Sequence, residues 1–168
     1  MPTPTYNLIQ EITVSGSVTT SINFTSVPQT FDDLVIVGKG KLALDEGVLM
    51  RFNSDSGANY YRLASAANGG TATTGNTSGD TSIAVTGGDE RQNYIFTINI
   101  NGYKDVNWRK SSIGQSFTEL GTQNNTIVYW GNIWASLSAI TTITFSTTAG
   151  TNFVAGTVFQ LYGIKGSN

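Results

Sequence analysis

The chain has 168 residues, a formal net charge of −2, and neither histidine nor cysteine. Without cysteine it has no disulfide or thiolate metal site, and without histidine it lacks the commonest proton shuttle of neutral-pH catalysis. Charged residues make up only 12% of the chain, which argues against a nucleic-acid binder because such a protein needs a basic surface. The length fits one domain, and 3 Trp, 7 Tyr and 8 Phe residues argue against disorder.

The first six residues predict an extended N-terminal arm, because Pro2 and Pro4 cannot enter a helix interior. They show neither the basic region nor the apolar region of a signal peptide, and no apolar run is long enough for a membrane span. We therefore expect synthesis in the cytoplasm and no membrane partner.

Alternation of apolar and polar residues is the main pattern in the rest of the chain, and it predicts short β-strands. Turns rich in Gly, Asn and Ser separate these segments. About eight to ten such strands over residues 7–168 predict an all-β fold, a single-domain antiparallel β-sandwich with a jelly-roll-like arrangement. The clearest strand segments, in chain order, are residues 17–26, 34–37, 48–52, 94–100, 127–134, 143–145 and 158–164.

Two segments carry apolar side chains on both faces. The run Leu34–Val37 is typical of a strand that is covered on both sides, inside a sandwich or at a subunit interface. In Ile127–Trp134, Val128 and Trp130 alternate with Ile127 and Tyr129, so burial or an interface is favoured over an open sugar-binding platform.

Residues 66–80 contain almost no large apolar side chain. They predict a long polar loop or a projecting hairpin, and we assign them as a polar loop of the sandwich domain.

The segment Asn53–Gly57 carries side-chain oxygens like the first half of a calcium-binding loop. An EF-hand loop also needs a carboxylate at its twelfth position, where this chain has Ala64. An Asx turn between two strands is therefore favoured.

Acidic residues occur in adjacent pairs, a pattern that does not suit catalysis. Glycoside hydrolysis needs two carboxyl groups that face each other, whereas neighbours on a strand point to opposite faces. Serine nucleophile motifs are also missing, so we expect no enzyme, no cofactor and no metal site, and we interpret the pairs as solvated turn charges. The pairs are Asp32 with Asp33, Asp45 with Glu46, and Asp89 with Glu90.

Aromatic residues are the best candidates for ligand binding. Tyr60, Tyr61 and Trp108 would contact a glycan if they were exposed, because aromatic rings stack on sugars. The alternative is that they fill the sandwich or a subunit interface.

Four motifs resemble those of small β-rich virion structural proteins of tailed bacteriophages, especially phages of cyanobacteria. In that family a pattern like FtsIPqTy-dLvl, a pattern like FNgDsGxNY and a closing LYGI recur in this order. The matching segments are Tyr6–Ile9, Phe24–Val35, Arg51–Tyr60 and Leu161–Lys165.

The resemblance implies a structural virion protein, and we expect a capsid cement or decoration protein on the capsid surface. Its partners would be the outer surface of the major capsid protein and other copies of itself, as a homotrimer. The alternative is a carbohydrate-binding domain of a fibre or tail tip that recognises a host glycan. The residues expected at the subunit or capsid interface are Pro2, Pro4, Tyr6, Leu34, Ile36, Trp130 and Trp134.

Overall fold

The structure is a computed structural model that describes residues 5–16, 19–44, 46–68, 71–86, 93–119 and 125–165. In these ranges the chain forms twelve β-strands and no helix, so it contains no helical segment that could cross a membrane. The predicted all-β class is confirmed. The strands are β1 (Tyr6–Thr13), β2 (Ser21–Phe24), β3 (Asp33–Lys41), β4 (Val48–Phe52), β5 (Tyr60–Asn68), β6 (Thr71–Asp80), β7 (Ile83–Ala84), β8 (Asn93–Asn101), β9 (Lys110–Thr118), β10 (Thr126–Trp134), β11 (Ile143–Thr147) and β12 (Val158–Ile164).

The strands form two sheets in which every pair is antiparallel, which confirms the predicted single-domain sandwich. The larger sheet has eight strands in the order β1-β12-β3-β8-β9-β10-β5-β6, and the smaller has four in the order β2-β11-β4-β7. A jelly roll distributes eight strands over its two sheets. The described residues instead place twelve strands in sheets of eight and four, so part of the larger sheet extends beyond the smaller one.

The core between the sheets is centred on three phenylalanines. Phe96 of β8 and Phe159 of β12 come from the larger sheet, and Phe145 of β11 comes from the smaller one. All three are fully buried, with ring centroids 4.8–5.7 Å apart. Two of the three pairs meet edge to face, the geometry that aromatic quadrupoles favour. The rings therefore join the two sheets at their centre.

The apolar run in β3 lies in the middle of the larger sheet. Leu34 and Ile36 point into the core and are fully buried, while Val35 is covered on the opposite face. Coverage on both faces is confirmed. The prediction that Leu34 and Ile36 form a subunit or capsid interface is wrong, because both side chains lie inside the protomer.

The tryptophans of β10 are also core residues. Trp130 lies in a space that Gly114 of the neighbouring strand β9 leaves open, and its indole nitrogen donates to the carbonyl of Val85, 3.0 Å away. Trp130 and Trp134 are each only 3% exposed. The prediction that they form a subunit seam is wrong, because alternation turns them toward the smaller sheet and not toward solvent.

The predicted arm is described only in part, and the segment 66–80 differs from the polar loop to which it was assigned. Pro2 and Pro4 lie outside the described residues, and Tyr6 is the exposed first residue of β1 and no longer part of an arm. Of the two forms predicted for this segment, the pairing is that of a hairpin: β5 continues to Asn68 and pairs with β6, which begins at Thr71. Threonine is frequent in β6 and favours extended backbone, so a polar segment forms a strand without burying a face.

Replacing Gly114 by alanine should destabilise the protein. The new methyl group would enter the space of the Trp130 indole, which is fixed by its hydrogen bond, so we expect a loss of about 2 kcal/mol in the free energy of unfolding. Urea denaturation followed by tryptophan fluorescence measures this. The matched control is Gly131→Ala on β10, where a Cβ would meet open space. Equal losses in the two variants would contradict the proposed packing.

Candidate functional site

The loop between β4 and β5, residues 53–59, carries the chain from the smaller sheet to the larger one. Its centre is the Asp55 carboxylate. Oδ2 accepts hydrogen bonds from Trp134 Nε1 at 2.7 Å and from Asn59 Nδ2 at 2.9 Å, and Oδ1 accepts one from the Gly57 amide at 2.8 Å. These contacts form the predicted Asx turn and engage both carboxylate oxygens in hydrogen bonds within the protein. Among the described residues no cluster of three acidic side chains suits a metal ion.

Asn53 fastens the same loop to a second segment. Its Oδ1 accepts hydrogen bonds from the amides of Thr141 and Thr142, and its Nδ2 donates to the carbonyl of Ala139. The backbone of Asn53 is left-handed, with φ of 51°, a conformation that Asn tolerates better than most residues. The loop therefore ties the ends of β4, β5 and β10 to the segment that leads into β11.

Tyr60 completes this network from the core. Its hydroxyl accepts a hydrogen bond from the Phe52 amide at 3.0 Å and donates to the carbonyl of Asp55 at 3.2 Å. Burial raises the pKa of Tyr60 to about 12. The predicted role of Tyr60 as a glycan contact is wrong, because the ring is completely buried.

The acidic pairs do not converge. Asp32 forms an ion pair with Lys104 at 3.0 Å, and Asp33 accepts a hydrogen bond from a backbone amide of the β8–β9 loop. Glu46 was expected in solvent, but it is buried and its Oε2 accepts a hydrogen bond from the Ala149 amide at 2.9 Å. The expectation of a solvated charge is therefore wrong for Glu46, which instead holds the turn that follows β11. The other members of the pairs, Asp45, Asp89 and Glu90, lie outside the described residues.

The most prominent surface feature is the solvent side of the neighbouring strands β8, β9, β10 and β5, which we call the outer face. Alternation points every second side chain of these strands away from the core. Eight of these are large and apolar, with 38–66% of each side chain exposed. They are Tyr61, Leu63, Ile95, Ile113, Phe117, Ile127, Tyr129 and Ile133.

Strand register makes these side chains contiguous. Phe117 lies directly opposite Ile95 on one side and Ile127 on the other, and Ile133 lies opposite Tyr61. Directly paired side chains on one face of an antiparallel sheet are close enough to touch. The eight residues therefore form one patch, although the strands that supply them lie far apart in sequence.

The outer face is also neutral and uneven. All residues of its four strands are described, and none of those that point outward is charged. Charge begins at its edge, where the exposed Lys39 of β3 is paired with Ile95. A depression of about 540 Å³ lies beside Gly131, and a second of about 260 Å³ lies beside Gln115. A side chain at Gly131 would meet nothing within 4 Å, so this glycine leaves an open hole next to the exposed Tyr129 ring.

Trp108 is exposed on the loop between β8 and β9, with 73% of its surface in solvent. Its carbonyl and that of Leu137 accept hydrogen bonds from the buried Lys110 ammonium at 2.8 and 3.3 Å. Burial lowers the pKa of Lys110. Of the three predicted glycan contacts, Tyr61 and Trp108 are exposed and Tyr60 is not, since Tyr60 and Tyr61 point to opposite faces.

The sequence prediction missed most of the outer face. It recognised Ile127 and Tyr129 as one side of β10 but assigned no strand to residues 110–118. The signal was present in β9, where Ile113 and Phe117 alternate with small polar residues.

Comparison with known proteins adds no assignment. No protein-family model matches this chain, and no curated protein is significantly similar to it. The function is therefore inferred from the surface and from the sequence motifs.

Asp55→Asn should make the protein less stable and less sensitive to acid. The hydrogen bond from Trp134 is the main cause that lowers the pKa of Asp55 below its usual value. A lowered pKa contributes stability above the unfolded value of about 3.9, and this stability is lost as the pH falls through the folded value. We expect the variant to lose about 2 kcal/mol near neutral pH.

Urea denaturation over a series of pH values from neutral to acidic measures this effect. The wild type should lose part of its stability in the acid range, and Asp55→Asn should show a flatter profile. The control is Asp105→Asn on the β8–β9 loop, where the carboxylate accepts a hydrogen bond from the Asn107 amide. A variant whose profile is parallel to that of the wild type would refute the role of the charge.

Proposed function

We propose that this protein is a structural component of a tailed-phage particle, a capsid cement or decoration protein that binds the outer surface of the major capsid protein. The observation that carries the proposal is the outer face, an exposed apolar patch that suits a protein covered by neighbours in an assembly. The motifs shared with virion structural proteins support the same role.

The extent of the outer face favours a protein–protein contact. At 150–250 Å² for a large side chain, the exposed parts of its eight residues amount to roughly 800 Å². The largest apolar patch of an ordinary monomer is smaller, about 300–600 Å². A surface of this kind suits a protein that works within an assembly.

The interior favours a scaffold over a catalyst. The side chains that carry chemistry elsewhere serve packing here: Asp55 holds a loop, Glu46 holds a turn and Lys110 holds two carbonyls. The role proposed is therefore non-catalytic and independent of cofactors.

The partners and the location follow from the same proposal. The protein is made in the host cytoplasm and assembles on the capsid surface, with the major capsid protein and copies of itself as partners, and without nucleic acid or membrane. The homotrimer expected from the resemblance stays a prediction. Since Leu34, Ile36, Trp130 and Trp134 are internal, any such trimer uses other surfaces.

A second candidate function, glycan recognition in a fibre or tail tip, is favoured by one observation. Tyr61 and Tyr129 expose aromatic rings on the outer face, and Gln115 lies directly opposite Tyr129. Aromatic rings beside amide groups can stack on a sugar and hydrogen-bond its hydroxyls.

Purified phage particles provide the first test. Gold-labelled antibody against the chain should decorate the whole head, and particles assembled without the chain should lose their DNA at a lower temperature. Adding the purified protein back should restore the heat resistance. Label confined to the tail or to one vertex, or its absence from particles, would refute the cement role.

A glycan array separates the second candidate from the first. The cement role predicts no reproducible binding by the wild type. Binding that is lost in Tyr129→Ala and kept in Trp108→Ala would favour glycan recognition at the outer face, and the reverse pattern would place it on the β8–β9 loop.

A further inference from the structure

We infer that the outer face is a self-association surface, on which two copies of this chain pack face to face around a twofold axis. The inference deepens the proposed function by naming the occupant of the outer face, and its biological role rests on that function. The contact itself requires no particle.

The outer face has the area that a stable interface needs. The apolar side chains of the outer face expose roughly 800 Å², about what each partner contributes to a stable interface of standard size. They come from four adjacent strands of one sheet, so a partner with a similar sheet covers all of them at once. Face-to-face sheets pack about 10 Å apart with their strands at about 30°.

The charge of the outer face also suits a contact between two identical surfaces. The chain has 20 charged residues, 9 basic and 11 acidic, yet none points outward from β8, β9, β10 or β5. The exposed Lys39 and Lys41 of β3 lie at the β8 edge, away from β10 at the centre of the proposed contact. A twofold contact places each surface against its own copy, so any charge in it would lie near an identical charge. A neutral face avoids this repulsion, whereas a contact with a charged partner would gain from complementary charges that the face does not provide.

The shape of the outer face is complementary to itself along β10. On β10, the exposed Tyr129 ring and the hole at Gly131 are two residues apart on the same side of the sheet. A twofold axis that lies between two stacked faces, level with Trp130, brings Tyr129 of each copy over Gly131 of the other. Ile113 and Leu63 lie on either side of Gly131 and form the walls of the hole. The face therefore offers both a protrusion and a matching recess.

A face-to-face contact between identical surfaces has twofold symmetry. Identical surfaces that pack on each other form a closed pair, while a trimer requires two different surfaces. The outer face thus predicts a dimer, which is distinct from the trimer that the resemblance implies.

Sedimentation equilibrium and native mass spectrometry of the purified chain, over a concentration series, test the inference. We expect a monomer–dimer equilibrium. Gly131→Thr should fill the hole and weaken the dimer at least about tenfold, while its midpoint of thermal unfolding should not fall, because a β-branched residue suits a strand with open space. Ile113→Ser should weaken the dimer by a similar factor.

Val106→Ser is the matched control. Val106 and Ile113 are both 60% exposed, but Val106 lies on the β8–β9 loop outside the outer face, so this variant should dimerise like the wild type. The inference is overturned by a chain that stays monomeric at every concentration, by a trimer that both outer-face variants leave intact, or by equal weakening in Val106→Ser.

These outcomes are separable from those of the proposed function. A monomer that nevertheless decorates phage heads refutes the self-contact and leaves the cement role standing, and it makes the shell the occupant of the outer face. A dimer that is absent from particles refutes the cement role and supports the self-contact.

Discussion

The loop between β4 and β5 joins the smaller sheet to the larger one, and the Asp55 carboxylate holds this loop in place. Asp55 accepts three hydrogen bonds there, and one comes from the indole of Trp134 at the end of β10. Charge-assisted hydrogen bonds of this kind are roughly twice as strong as neutral ones. The loop also accommodates left-handed backbone at Asn53 and Ser54, a cost that the bonds of Asn53 to residues 139–142 offset. The carboxylate thus links the end of β10 to the loop that joins the smaller sheet to the larger one.

The unequal sizes of the two sheets determine which surfaces remain free. The smaller sheet has four strands, and the larger has eight, so one face of the larger sheet is packed and the other is left to solvent. Antiparallel strands commonly show polar side chains on a solvated face. Here β8, β10 and β5 keep apolar side chains on both faces, while β9 turns Ile113 and Phe117 outward and buries small polar side chains. The inner set closes the core around Phe96, Phe145 and Phe159, and the outer set forms the neutral patch.

Sequence patterns predicted the local structure well and the surfaces poorly. The Asx turn at residues 53–57 was recognisable because its side chains act on their own backbone, and alternation identified the strands at 94–100 and 127–134. Whether Leu34 or Trp130 faces a core or a partner has no local signal, since both environments select the same residue types. The outer face was missed for a related reason: it is assembled by pairings such as Ile95 with Phe117 and Gly131 with Leu63, which link distant segments.

A self-contact would make chemical sense of a cement protein with a neutral apolar face. Copies bound side by side on a shell meet one another at an effective concentration far above that in solution, so even a modest contact between them becomes occupied. Each pair of bound copies then connects two positions on the shell. The pairing itself adds no new contact with the shell. A contact made by apolar side chains is also not weakened by charge screening as the salt concentration rises. An exposed apolar face favours uncontrolled association of an isolated chain. In a repeating lattice of copies, the same face can form a regular contact.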